Sequence, residues 1–142
     1  MVRKRKAQTI LVIENEADIQ KFFSRVLELE GYRVLEADDG ESGMAIIREN
    51  PVSLVLLDLR LPERDGWSVL REIKHDAELS RIPVVVITAV AETIQRKRTL
   101  RMGANKYLTK PVSAHNLAKA VASILSGSGQ RPTNKKSAGT ED

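Results

Sequence analysis

The chain has no cysteine among its 142 residues, which excludes a disulfide framework and a thiolate metal site. Aromatic residues make up only 4%, and none is interleaved with the basic clusters, so no base-stacking surface for nucleic acid is evident. No apolar run approaches the ~18 residues needed to cross a bilayer. The basic start, MVRKRKAQ, lacks the apolar segment of a secretory signal. Nothing resembles a glycine-rich phosphate loop, no Ser/His/Asp set stands out, and no internal repeat is visible. These absences favour the cytoplasm as the location.

What is present is an apolar content of 42%, enough for a real core in a chain whose length suits one domain. The net charge is +4 and the sequence pI about 9.5. Part of the excess lies in Arg3, Lys4, Arg5 and Lys6, part in Arg96, Lys97, Arg98 and Arg101. A basic patch can meet nucleic acid or an acidic partner; the simpler reading is a solvated arm and a solvated helix face.

Apolar patterning alternates between two periods. Thr9–Ile13, Arg33–Ala37, Leu54–Leu57, Val84–Thr88 and Asn105–Leu108 read as short strands. Between and after them come helical patterns. The first, roughly Ala17–Glu30, has Ile19, Phe22, Phe23, Val26 and Leu27 on one face and Gly31 to end it. The second runs to about Glu49, with Met44, Ile46 and Ile47 inward; the third begins near Gly66 or Trp67, with Leu70 and Ile73 in its stripe. The fourth, about Ala91–Met102, is basic and weakly amphipathic, and Gly103 caps it. Ser113 caps the last, whose inner face is Leu117, Val121, Ile124 and Leu125. Strand–helix alternation five times over predicts an α/β fold, a parallel sheet covered by helices on both faces. The expected organisation is a basic arm over 1–7, one domain over 8–126, and a disordered Gly/Ser/Lys-rich tail or linker over 127–142.

The polar residues at the carboxyl ends of these strands carry the chemistry. They are Glu14 and Asn15 after strand one, Asp58 after strand three, Thr88 ending strand four and Lys110 after strand five. In a parallel sheet these ends share one edge, where open α/β folds bind ligands. An isolated Asp, Thr or Lys there is ordinarily a turn or cap residue; the convergence is what counts. A carboxylate attacks an anionic phosphoryl group only when their repulsion is neutralised. Mg²⁺ held by Glu14 and Asp58 would do this, with Lys110 on a phosphoryl oxygen or on Asp58, and the Thr88 hydroxyl on another oxygen.

The segments DLRLPERDG from Asp58, VVVITA ending at Ala89, and YLTKP from Tyr107 to Pro111 resemble, in order and spacing, the receiver domain of bacterial two-component response regulators. The likeness spans about Gln8 to Ser126. It implies a doubly wound, flavodoxin-like five-stranded sheet of order 2-1-3-4-5. It also implies Asp58 as phosphoacceptor and Thr88 as the hydroxyl that moves onto the phosphoryl group. Lys110 would be the characteristic lysine, followed by a cis bond to Pro111, and Tyr107 the aromatic switch. Metal ligands would be Glu14, Asn15, Asp58 and the Arg60 carbonyl. The implied partners are a histidine kinase or phosphotransfer protein and a downstream protein target reading the helix 4/strand 5/helix 5 face. Self-association through that face is left open. One departure is Asn15, where the family usually has a second acidic residue; an amide brings no charge, so Mg²⁺ should bind more weakly. Glu16 is expected to face away or to cap helix one.

Tyr107 also reads as a packed strand residue, Trp67 as a packing residue of helix three, and Asp65, Asp38 and Asp39 as turn or cap residues. His75 and His115 fall on helix surfaces away from the crevice. Three functions follow: a phosphorylation-dependent signalling switch, regulatory rather than enzymatic apart from handling its own phosphoryl group; a pseudo-receiver that binds partners without phosphorylation because of Asn15; and a flavin-binding or hydrolytic enzyme on the same architecture.

Overall fold

The computed structural model describes residues 7–127, so the expected basic arm and tail lie outside the described residues except for Ala7 and Gly127. Within them strands and helices alternate as β1 (Thr9–Ile13), α1 (Ala17–Leu29), β2 (Arg33–Ala37), α2 (Gly40–Glu49) and β3 (Leu54–Leu57), followed by α3 (Gly66–His75), β4 (Val84–Thr88), α4 (Thr93–Arg101), β5 (Lys106–Thr109) and α5 (Ala114–Gly127). All neighbouring strands pair in parallel, in the order β2-β1-β3-β4-β5. This is the expected doubly wound topology. No helix among the described residues is long and apolar enough to cross a membrane.

Every residue of β1, β3 and β4 is buried, because each is flanked by strands and covered on both faces. Alternate side chains divide between two cores. Leu11, Ile13, Val55, Leu57, Val84 and Val86 pack with Met44 and Ile47 of α2 and Val69, Leu70 and Ile73 of α3. Ile10, Val12, Leu54, Leu56, Val85 and Ile87 pack with Phe23 and Leu27 of α1 and Leu117 and Val121 of α5. Edge strand β2 is buried only at Ala37.

Several boundaries and faces differ from the sequence reading. α1 stops at Leu29, where Glu30 serves as C-cap and Gly31 takes a φ of 98°. Phe22 is not part of the buried face: it is 42% exposed. The buried arc is displaced toward Gln20 and Ser24, whose polar groups find partners at the β2 end, and at 100° per residue this turns Phe22 outward. α4 is shorter than expected, starting at Thr93 and ending at Arg101, because its only buried residue is Thr99 and little apolar surface holds its ends. β5 is displaced by one residue, running Lys106–Thr109; Asn105 precedes it and is tied to β4 twice, its N–H donating to the Val84 carbonyl at 2.8 Å and its side chain accepting the Val84 N–H at 2.9 Å. α5 continues through Ser126 and Gly127, which the sequence assigns to the domain's end and the tail.

The turn residues behave as polar caps. Asp39 accepts from the Ser42 N–H, Asp65 from Ser68 and Ser113 from Asn116. Asp38 does not cap α2; it accepts from Gln20. Glu16 occupies the N-cap position of α1 without a side-chain capping bond. The Lys110–Pro111 bond is cis.

Candidate functional site

The sheet sets up its own carboxyl edge. Three site residues each stand one position beyond a strand, yet their N–H groups still bond to the neighbouring strand. Glu14 donates to the Ala37 carbonyl at 3.0 Å, Asp58 to Ile13 at 3.1 Å and Lys110 to Thr88 at 2.8 Å. Their side chains therefore leave the rim from backbone held as firmly as the strands themselves.

These side chains converge. Lys110 Nζ lies 2.8 Å from Asp58 Oδ2 and 2.9 Å from Glu14 Oε1. Asp58 is 5% exposed and Glu14 1%. Asp58 Oδ1 accepts the Arg60 N–H at 3.1 Å, and Glu14 Oε2 accepts the Glu16 N–H at 3.0 Å. Burial raises the Glu14 pKa, and the Asp58 charge adds to this, although Lys110 and the Glu16 N–H pull the other way. Burial alone would lower the Lys110 pKa, but its bonds to Asp58 and Glu14 outweigh this and raise it. Burial also raises the Tyr107 pKa. The ammonium is the counter-charge for two carboxylates in one partly dry pocket.

Thr88 is fully buried at the end of β4. Its hydroxyl oxygen accepts the Val90 N–H at 3.5 Å, and the Val90 carbonyl accepts the Tyr107 hydroxyl. Tyr107 is turned inward, 4% exposed, with the Arg96 guanidinium 5.9 Å from its ring centre. One residue, Val90, thus joins the hydroxyl of Thr88 to the ring of Tyr107.

Asn15 is exposed at the rim and Arg60 meets Asp58 through its N–H. Among the described residues no group of three or more His, Asp or Glu side chains is assembled that could hold a metal. Mg²⁺ needs less: one or two carboxylates, carbonyl oxygens and waters, completed by phosphoryl oxygens. Glu14 and Asp58, drawn to one ammonium, meet that need, so the donor set fits Mg²⁺. Trp67 packs half-buried, donating to the Thr99 hydroxyl at 2.9 Å with the Arg98 guanidinium over its ring. His75 and His115 are exposed on helices.

Sequence reasoning missed Gln20. Its amide donates to the carbonyls of Glu14 and Ala37 and to the Asp38 carboxylate, tying α1 to the ends of β1 and β2. The signal was available: Gln20, Ser24 and Leu27 fall at i, i+4 and i+7, a stripe beside the apolar one. The bridging role of Val90 left no signal, because backbone groups make the bonds.

Residues 10–122 match the family model described as response regulator receiver domain. The chain belongs to that family. Over 118 residues it is 33% identical to Protein PilH of Pseudomonas aeruginosa, covering 83% of this chain and 98% of PilH. It is 37% identical over 119 residues to the phosphate regulon transcriptional regulatory protein PhoB of Klebsiella pneumoniae, covering 84% of this chain and 52% of PhoB. The receiver spans about half the length of several curated relatives it matches, among them probable transcriptional regulators ycf27, at 48% and 51%. Among solved structures, a receiver domain protein from Clostridium thermocellum superposes with a TM-score of 0.78 at 30% identity, covering 86% of this chain and 97% of that one. A CheY-like receiver domain protein from Methanospirillum hungatei gives 0.81 at 26%, covering 87% and 98%. Receiver domains are regulatory phosphoacceptor domains, and they generally bind Mg²⁺ at the phosphorylation site.

Proposed function

We propose that this receiver is a phosphorylation-dependent signalling switch whose phosphoacceptor is Asp58. The supporting observation is the Lys110 ammonium within 2.9 Å of both Glu14 and Asp58, at the open carboxyl edge of the central strand. A histidine kinase or phosphotransfer protein supplies the phosphoryl group. An Asp58 oxygen bonds to phosphorus as the bond from phosphorus to the donor nitrogen breaks, giving an acyl phosphate. Bound Mg²⁺ would neutralise the incoming oxygens, held by Glu14, Asp58, the Asn15 amide and the Arg60 carbonyl. Lys110 leaves its carboxylate to pair with a phosphoryl oxygen. The Thr88 hydroxyl bonds another, and because Val90 contacts both Thr88 and Tyr107, that movement reaches the ring. The outcome is a shift between two states of α4 and β5, read by a protein target on the α4–β5–α5 face. Slow loss of the phosphoryl group to water resets it. The fold's lack of a membrane-crossing helix among the described residues suits a cytoplasmic setting.

The neutral Asn15 makes Mg²⁺ binding weaker than in a receiver with a third carboxylate. That feature favours one second reading, a pseudo-receiver that binds partners without phosphorylation. Incubation with acetyl phosphate and Mg²⁺, followed by intact mass measurement, separates the two. The switch requires a gain of one phosphoryl mass that Asp58→Asn abolishes; no gain in the unaltered chain establishes the pseudo-receiver.

A further inference from the structure

Charge is unevenly divided along the chain. From Val90 to Gly127 the one acidic residue is Glu92, against seven Lys and Arg. From Ala7 to Ala89 the balance reverses, with sixteen Asp and Glu against nine Lys and Arg. The cationic stretch is α4, β5 and α5, which the sheet order gathers at the β5 edge.

The face is also apolar in places. α4 buries Thr99, so at 100° per residue its outward arc carries Ile94, Lys97, Leu100 and Arg101. Ile94 is 77% exposed and Leu100 38%. On the α5 side of β5, a groove of about 420 Å³ lies between β5 and α5, with Lys106 and Lys119 among its lining residues and Leu108 and Val112 supplying apolar surface. Apolar side chains set among cations match an amphipathic segment bearing carboxylates. They match nucleic acid poorly, because the face offers no exposed Phe, Tyr or Trp for stacking: Tyr107, the one such residue from Val90 to Gly127, is buried, with Arg96 over its ring. A two-fold contact with a second copy would set cation against cation, since each side presents the same surface.

We propose that the α4–β5–α5 face docks an acidic amphipathic segment of another protein, and that its one-signed charge keeps a second copy of this chain off it. This rests on the reading above that this face carries the output.

The test uses the full chain, with and without acetyl phosphate and Mg²⁺. The probes are fluorescein-labelled amphipathic peptides of about 18 residues, five helical turns. One has leucines on one face and glutamates on the other, and its counterpart has lysines in place of glutamates. A DNA duplex is the third probe. Anisotropy should show the glutamate peptide bound at least about tenfold tighter than the lysine peptide, with affinity falling as salt rises. The triple variant Lys97→Glu, Arg101→Glu, Lys119→Glu should reverse that preference, while Arg33→Glu on the far edge strand should leave it unchanged. Equal binding of both peptides, tighter binding of the duplex, or a two-fold dimer of the unaltered chain through this face would overturn the proposal. If phosphorylation adds its mass and neither form prefers the glutamate peptide, this proposal fails while the switch stands. If the preference holds but phosphorylation never occurs, the docking face stands and the switch fails.

Discussion

Replacing Lys110 with Met keeps an apolar stem and removes the charge that two buried carboxylates share. Glu14 and Asp58 are 1% and 5% exposed, and each lies within 2.9 Å of the ammonium. Two responses are open to the variant. Leaving both groups ionised costs about 3–5 kcal/mol, the range for a buried pair that loses one partner. Taking up a proton limits that cost. A carboxyl with an ordinary value of 4.5 costs about 3.4 kcal/mol to protonate at pH 7, at 1.36 kcal/mol per pH unit. The proton goes to Glu14, whose pKa burial already raises and which the Asp58 charge raises further. A raised pKa means that the folded form holds the proton more tightly than the unfolded chain. The penalty is then full above the folded pKa and fades as pH falls toward the unfolded value. Urea unfolding should therefore show Lys110→Met about 3 kcal/mol less stable than the unaltered chain at pH 7, and less than about 1 kcal/mol at pH 5. An equal loss at both pH values, or none at pH 7, would refute the shared counter-charge.

Three further outcomes follow from the same geometry. Asn15→Asp should tighten Mg²⁺ binding by about tenfold or more in calorimetric titration, because it adds a charged oxygen to the hard-cation donors; an unchanged affinity would remove Asn15 from the metal site. Gly66→Ala should destabilise the fold by about 1–3 kcal/mol in thermal or urea unfolding. Its new Cβ would sit 2.3 Å from the Asp58 carbonyl oxygen and 2.6 Å from the Leu59 Cα, both backbone atoms. Its phosphorylation should slow as Asp58 shifts. Tyr107→Phe should cost about 1–3 kcal/mol by leaving the buried Val90 carbonyl unpaired. It should also weaken the effect of phosphorylation on partner binding more than the phosphorylation itself.

Much of this receiver could be read along the chain. The continuous apolar runs of β1, β3 and β4 differ from the interrupted Arg33–Ala37 because inner strands are covered on both faces and edge strands are not. Asp39, Asp65 and Ser113 were recognisable as caps from their places before helical patterns. Where packing was weak, the pattern misplaced things. α4 has too little apolar surface to mark its ends, and a partner for Gln20 at the β2 end turned Phe22 outward.

By itself, then, the sequence determined the alternation of strands and helices, the parallel sheet, and which polar residues end which strands. Those are local properties, written in periods of two and 3.6 residues. Only the tertiary structure decided that Lys110 meets Asp58 across 52 positions and Glu14 at the same time, and that Val90 links Thr88 to Tyr107. Such contacts depend on strand order and register, which bring together residues whose own neighbours along the chain say nothing of each other.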